Sequence, residues 1–222
     1  MRPVPDLRVY AVLDPARSRG RPLGALAAAA ARGGATLVQL RMKGVTTRDF
    51  MDAAHEVAAA LAPTGVPLVV NDRVDVALAA AAQGVHVGQE DMPAADARRL
   101  LGPDAIVGVT VHHPHEADAI EVGTASYAGL GPLFRTESKD PGDPPLGFEG
   151  LARLIGHLRR RLPGLPVTAI AGIDHRNAAA AIAAGADGVA VISDIFMADD
   201  PEAATRRLRQ AVDAALTGRR GR

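Results

Sequence analysis

Two aspartates stand at matched places in the chain. Asp72 follows Val69, Val70 and Asn71, and Asp91 closes Val87, Gly88, Gln89, Glu90, Asp91, so each comes after a short β-branched run that ends in polar residues. On neighbouring parallel strands, the loops after both runs open on one rim. There two carboxylates would hold a hard cation such as Mg²⁺ beside a phosphorylated substrate. Each aspartate also has a structural reading: Asp72 would pair with Arg73, and Asp91 would cap a helix starting near Pro93. Placement after consecutive strands, with Asn71 and Gln89 close by, favours the metal.

Three other segments carry groups suited to phosphate. Gln39 and Arg41 share one face of an apolar strand, opposite Val38 and Leu40, and Lys43 follows in the loop. Cations at the end of such a strand are costly to desolvate unless an anion or a carboxylate meets them, so a phosphate site and a structural ion pair both fit. From Gly131 to Lys139 hydroxyls, backbone amides and an ammonium converge. Such a stretch could hold phosphate oxygens and shield a leaving group, or be an ordinary polar loop. Gly172 and the pair Ile192, Ser193 end two later strands, where a phosphate can rest on backbone N–H groups; simple turn chemistry is the plainer reading.

The elements that position these groups follow from periodicity. Apolar β-branched runs at 7–13, 36–41, 67–71, 84–87, 106–110, 127–131, 166–170 and 188–191 alternate with alanine-rich segments of helical period at, for example, 48–61, 74–82, 146–161, 177–184 and 201–216. Glycines 33, 84 and 185 and prolines 93, 114 and 201 supply stop and start signals. Eight strand and helix pairs, with no Gly-rich dinucleotide fingerprint after the first strand, predict an α/β protein: a single-domain (β/α)8 TIM barrel over residues 1–222. Residues 135–147, rich in proline and glycine, predict a mobile loop after the sixth strand. The basic residues within 217–222 predict a disordered tail.

Composition narrows the function. The 222 residues are 48% hydrophobic, and 25 Lys and Arg balance 25 Asp and Glu, so no global field draws the protein to nucleic acid or to an anionic membrane. There is no cysteine, hence no disulfide, thiolate metal site or cysteine nucleophile. No apolar run approaches the roughly 20 residues of a membrane span, and the N-terminus lacks a leader pattern; a soluble cytoplasmic protein is expected. His112, His113 and His115 sit at a helix start without a fourth partner and read as a decoy for a metal site. His86 reads as a hydrogen-bonded barrel residue, and no general base emerges.

Taken together, residues 38–44 (VQLRMKG), 68–75 (LVVNDRVD), 84–93 (GVHVGQEDMP), 129–139 (GLGPLFRTESK) and 186–193 (ADGVAVIS) resemble the thiamine-phosphate synthase family, in order and from the second strand to the eighth. The resemblance implies a barrel and a transferase. The family joins a hydroxymethylpyrimidine diphosphate to a thiazole phosphate, releasing pyrophosphate and forming thiamine phosphate. It further implies that Gln39, Arg41 and Lys43 hold the pyrimidine diphosphate with Asn71 and Thr110 beside it, that Asp72 and Asp91 ligate Mg²⁺, and that Lys139 grips the diphosphate. Lys139 and Arg41 would then be the catalytic cations. Thr136, Glu137, Ser138, Gly172, Ile192 and Ser193 would face the thiazole phosphate. The partners so implied are small molecules, with a homo-oligomer possible and neither nucleic acid nor membrane involved.

The chain departs from the family pattern at Met42 (usually glutamate), Thr110 (often serine), Ser138 (often threonine) and Ala171 (often a second glycine). The hydroxyl exchanges preserve donor and acceptor; Met42 and Ala171 would alter pocket polarity or backbone approach. Two rivals remain on residues alone. A thiazole tautomerase-like barrel would tend to lose the paired aspartates and the Gly131, Pro132 step, both present here. A non-catalytic phosphate-ligand binding barrel shares the fold, which alone does not fix activity.

Overall fold

A computed structural model describes residues 4–135 and 144–220. Among them, eight parallel strands close into one barrel in sequence order: β1 (Val9–Leu13), β2 (Leu37–Leu40), β3 (Leu68–Asn71), β4 (Gly84–Val87), β5 (Ile106–Val111), β6 (Tyr127–Leu130), β7 (Val167–Ile170) and β8 (Gly188–Val191). β8 returns to β1 through Val9 opposite Val189 and Ala11 opposite Val191, which leaves no edge. The expected barrel is therefore present, with strand bounds within two residues of those read from the sequence.

Helices follow the strands: α1 (Leu23–Gly33), α2 (Thr47–Leu61), α3 (Val74–Ala79), α4 (Ala94–Leu101), α5 (Pro114–Ala119), α6 (Gly147–Arg161), α7 (Ala178–Ala183), a short α8 (Ser193–Phe196) and α9 (Pro201–Arg220). Their sequences explain them. α2 starts where the Thr46 hydroxyl accepts the Asp49 N–H at 3.1 Å, and it buries Phe50, Ala53, Ala54, Val57 and Leu61, one stripe at helical spacing. Pro63, two residues beyond its end, forbids continuation.

Because strand side chains alternate, the sheet has two apolar faces. Val9, Ala11, Leu13, Val38, Leu40 and Val70 pack outward under the helices. Tyr10, Val12, Leu37, Val69, Ile106, Tyr127 and Ala190 fill the inside. Each fully buried side chain of this size contributes about 1.5–3 kcal/mol. The inner face, however, is not wholly apolar, and its polar members line a cavity.

Two expectations change. Residues 217–220 are not a disordered tail but the last turn of α9. Arg219 donates to the carbonyls of Ala186 (2.7 Å) and Ile182 and meets Asp187 at 3.0 Å, so partners elsewhere in the fold hold a segment that composition alone reads as solvated. Gly84 is no helix stop; α3 ends at Ala79, and Gly84 opens β4. Residues 136–143 of the expected mobile loop, and 221–222 of the tail, lie outside the described residues. No helix among the described residues is long and apolar enough to cross a membrane.

Candidate active site

At the C-terminal ends of the strands, where barrel chemistry is sited, a cavity of about 160 Å³ opens between the inward side chains. Gln39 (β2), Asn71 (β3), Thr110 (β5), Gly172 after β7, and Ile192 and Ser193 after β8 all line it, as does Arg41 just past β2. The sequence-predicted residues of five strand ends thus meet in one place.

Asp72 follows the cavity-lining Asn71 directly and adopts φ +64°, a left-handed turn that an aspartate tolerates better than most side chains. The turn brings its carboxyl within hydrogen-bonding reach of Asp91 and into an ion pair with Lys43. Neither aspartate takes its structural reading. Arg73 pairs with Asp75 at 2.5 Å instead of with Asp72. α4 starts after Pro93 with no side-chain cap, while Asp91 Oδ2 accepts the Gly88 N–H at 2.7 Å. That bond pins Asp91 against its own strand end and beside Asp72.

Burial pushes the Asp72 carboxyl above its usual range, the Lys43 ammonium opposes that shift, and the neighbouring Asp91 adds to it. The folded protein therefore holds this proton more tightly than the unfolded chain does. Asp72 costs no stability below its ordinary value of 3.8, and a cost accumulates as pH rises through the raised folded value. We expect Asp72→Asn to melt above the wild type at pH 7 in metal-free buffer, with the gap closing below about pH 4. Equal melting temperatures across that range would contradict the crowding of the two carboxyls.

Arg41 forms an ion pair with Asp14, a residue the sequence reading passed over. Asp14 is 7% exposed and works with both oxygens: Oδ1 accepts the Ala16 N–H at 2.9 Å, capping a single 3-10 turn at Pro15–Arg17, and Oδ2 meets the guanidinium. The cation so oriented still has N–H groups for an anion. Both alternatives offered for Arg41, ion pair and anion site, thus remain compatible in one side chain.

Gly172 has φ +70°, and a Cβ there would lie 2.7 Å from Phe134 Cβ, so the loop after β7 needs glycine. Ala171 takes φ +79° in the same turn, a conformation that costs an alanine about 1 kcal/mol relative to glycine. Met42 packs against the outer apolar cluster and is not among the residues lining the cavity. Thr136, Glu137, Ser138 and Lys139 lie outside the described residues.

The cavity also uses residues that the sequence reading left as core or decoy. Tyr10, His86, His112 and Thr168 line it, and Tyr127 lies against His86. Period-2 alternation is the signal that could have found His112, which shares the inward face of β5 with Thr110. Glu116 accepts the backbone N–H groups of His112 and His113, and its carboxylate lies 3.5 Å from the His112 ring. Among the described residues no group of three or more metal-ligating side chains occurs, and the rings of His113 and His115 stack with centroids 5.5 Å apart. Thr168, 1% exposed, carries the one buried side-chain oxygen without a partner among the described residues. A cavity wall that leaves a polar atom unpaired fits a ligand with polar groups.

This geometry coincides with a family. Residues 9–195 match the family model described as thiamine monophosphate synthase. The chain is 49% identical over 214 residues to a thiamine-phosphate synthase of Agrobacterium fabrum, covering 96% of this chain and 97% of that one. It is 48% identical to a thiamine-phosphate synthase of Chloroflexus aurantiacus, covering 93% of each. Among solved structures, thiamine phosphate pyrophosphorylase from Pyrococcus furiosus superposes with a TM-score of 0.82 at 34% identity, covering 95% of this chain and 98% of that one. The chain belongs to the thiamine monophosphate synthase family of transferases.

Proposed function

We propose that the protein condenses an aminopyrimidine methyl diphosphate with a thiazole phosphate, giving thiamine phosphate and pyrophosphate. The observation that carries this reading is the meeting of Asp72 and Asp91 at the mouth of a cavity lined by Gln39, Arg41, Asn71 and Thr110 on one side and by Gly172, Ile192 and Ser193 on the other. A metal-free fold gains nothing from crowding two carboxyls. Together they would suit a divalent cation beside a phosphorylated substrate.

In this reading Asp72 and Asp91 hold Mg²⁺. When bound, it neutralises charge on the departing diphosphate. Arg41, oriented by Asp14, binds the same diphosphate, and Lys43 leaves Asp72 to share in that contact as the anion arrives. Lys139 would bind the same diphosphate. Gln39, Asn71 and Thr110 hold the pyrimidine ring inside the barrel. Backbone at Gly172, Ile192 and Ser193, with Thr136, Glu137 and Ser138, anchors the thiazole phosphate.

The bond from the ring methylene to the diphosphate oxygen breaks with its electron pair passing to that oxygen, and the thiazole nitrogen closes on the methylene carbon. No protein nucleophile or general base is required, in keeping with the residues present. Both substrates are anionic esters that do not cross a bilayer unaided, which supports a cytoplasmic setting. The test is pyrophosphate release by the purified protein. We expect release only when both substrates and Mg²⁺ are present; equal release without the thiazole or without the metal would defeat the assignment.

A further inference from the structure

Five polar side chains on five different strands form one unbroken hydrogen-bonded chain across the inside of the barrel. Gln39 Nε2 donates to Tyr10 Oη; Tyr10 Oη and Tyr127 Oη are 2.6 Å apart; Tyr127 Oη lies 2.9 Å from His86 Nδ1; and His86 Nε2 lies 2.8 Å from Thr110 Oγ1. The two ends line the cavity, and the middle members Tyr10 and Tyr127 are almost completely buried. The rings stack the chain in place: Tyr10 meets Tyr127 edge-on at 5.6 Å, and Tyr127 lies tilted on His86 at 5.5 Å.

The direction of the protons follows from counting them. Tyr10 accepts from Gln39, so its single hydrogen goes to Tyr127, since a buried hydroxyl hydrogen finds an acceptor. Tyr127 then gives its hydrogen to His86 Nδ1. A neutral imidazole that accepts at Nδ1 donates at Nε2, here to Thr110. Burial keeps both phenols protonated well beyond neutral pH, so each hydroxyl remains a donor. Two consequences reach the cavity. Gln39 uses one N–H on the chain and keeps its carbonyl oxygen and second N–H, while Thr110 has filled one lone pair and keeps its hydrogen to donate.

We infer that Tyr10, Tyr127 and His86 are positioning residues that hold the Gln39 amide and set the hydrogen-bond polarity of the pyrimidine pocket, presenting the Gln39 carbonyl oxygen and the Thr110 hydrogen to the ligand. A ligand that offers an N–H to one and a lone pair to the other is an exocyclic amine beside a ring nitrogen. The oxo analogue, with carbonyl and ring N–H exchanged, brings an N–H to Thr110 in place of a lone pair and leaves the Thr110 hydrogen unpaired. This inference rests on the synthase reading for its substrate, but its own content is the selectivity.

The experiment compares kcat/KM for the aminopyrimidine diphosphate and its 4-oxo analogue in the wild type, Tyr127→Phe and Tyr10→Phe. Each variant removes one hydroxyl and breaks the chain at a different link. We expect the amino-over-oxo preference to fall at least 10-fold in either variant, mainly through KM for the pyrimidine, with KM for the thiazole phosphate unchanged. An equal loss on both pyrimidines would make the chain merely structural and overturn the inference. Should one variant not fold, the other carries the comparison. The ¹⁵N shifts of His86 in the free wild type give a reading independent of activity: the Nε2–H tautomer is expected, and Nδ1–H would overturn the assigned direction. A wild type that releases no pyrophosphate from either pyrimidine would instead count against the synthase reading itself.

Discussion

Alanine at Asp72 or at Asp91 is expected to lower Mg²⁺-dependent turnover roughly 10²- to 10⁴-fold, the equivalent of several kcal/mol of charge stabilisation on the leaving group. Neither change should unfold the protein. Asp72 is the residue whose charged form the free fold disfavours, and Asp91 contributes one bond to the Gly88 amide. Steady-state kinetics at limiting and saturating Mg²⁺ separate the effects: a lost ligand lowers turnover and shifts the metal dependence upward. A variant with the wild-type rate at limiting Mg²⁺ would remove that aspartate from the site. The free protein pays for the crowding in stability, and this explains why Asp72→Asn should stabilise it while disabling it.

A second large effect lies under the cavity and concerns folding. Gly108 pairs with Tyr127 across β5 and β6, and its missing side chain leaves the space into which the Tyr127 ring projects. A Cβ at 108 would sit 2.1 Å from Tyr127 Cζ, 2.3 Å from its hydroxyl and 2.5 Å from His86 Nδ1. No rotamer of one ring relieves contacts with two. Gly108→Ala would therefore force the backbone apart or break the bonds of Tyr127 to Tyr10 and His86, costing roughly 3–5 kcal/mol. For a chain of this size that is a fall of roughly 6–20 °C in melting temperature, a large part of the stability a natural domain has. Thermal unfolding checks it, and a fall of less than about 3 °C would mean that the floor of the barrel is looser than the packing requires.

How much of this could be read from residue order differs between frame and site. The eight strands were legible because each is a short β-branched run between helical segments, and helix stripes such as Phe50, Ala53, Ala54, Val57 and Leu61 repeat at a period that only a helix satisfies. Ends were less legible. β5 runs to Val111, one residue beyond expectation, and α9 continues to Arg220 because Arg219 finds carbonyls near residue 186 that no local pattern announces.

Within the site, the charged rim was visible. Arg41, Lys43, Asp72 and Asp91 interrupt or terminate apolar strands, where ionised groups are costly without a partner. The interior was not. Tyr10 reads as one more large side chain in an apolar run, and its role depends on Tyr127, 117 residues away, and on Gln39, 29 residues away. Asp14 likewise gains its meaning from Arg41 across β1 and β2. Partnerships of this kind are created by closure of the barrel, which puts inward positions of every strand within reach of one another.

The central claim is that Asp72 and Asp91 act on one ion, and a double-mutant comparison addresses it directly. Pyrophosphate release is measured against Mg²⁺ concentration for Asp72→Ala, Asp91→Ala and the pair together. If both carboxylates hold the same cation, the double variant loses little more than the more damaged single one, because removing either ligand already forfeits the ion. Losses that multiply, each with its own unchanged metal dependence, would mean that the two aspartates act separately and would contradict the account.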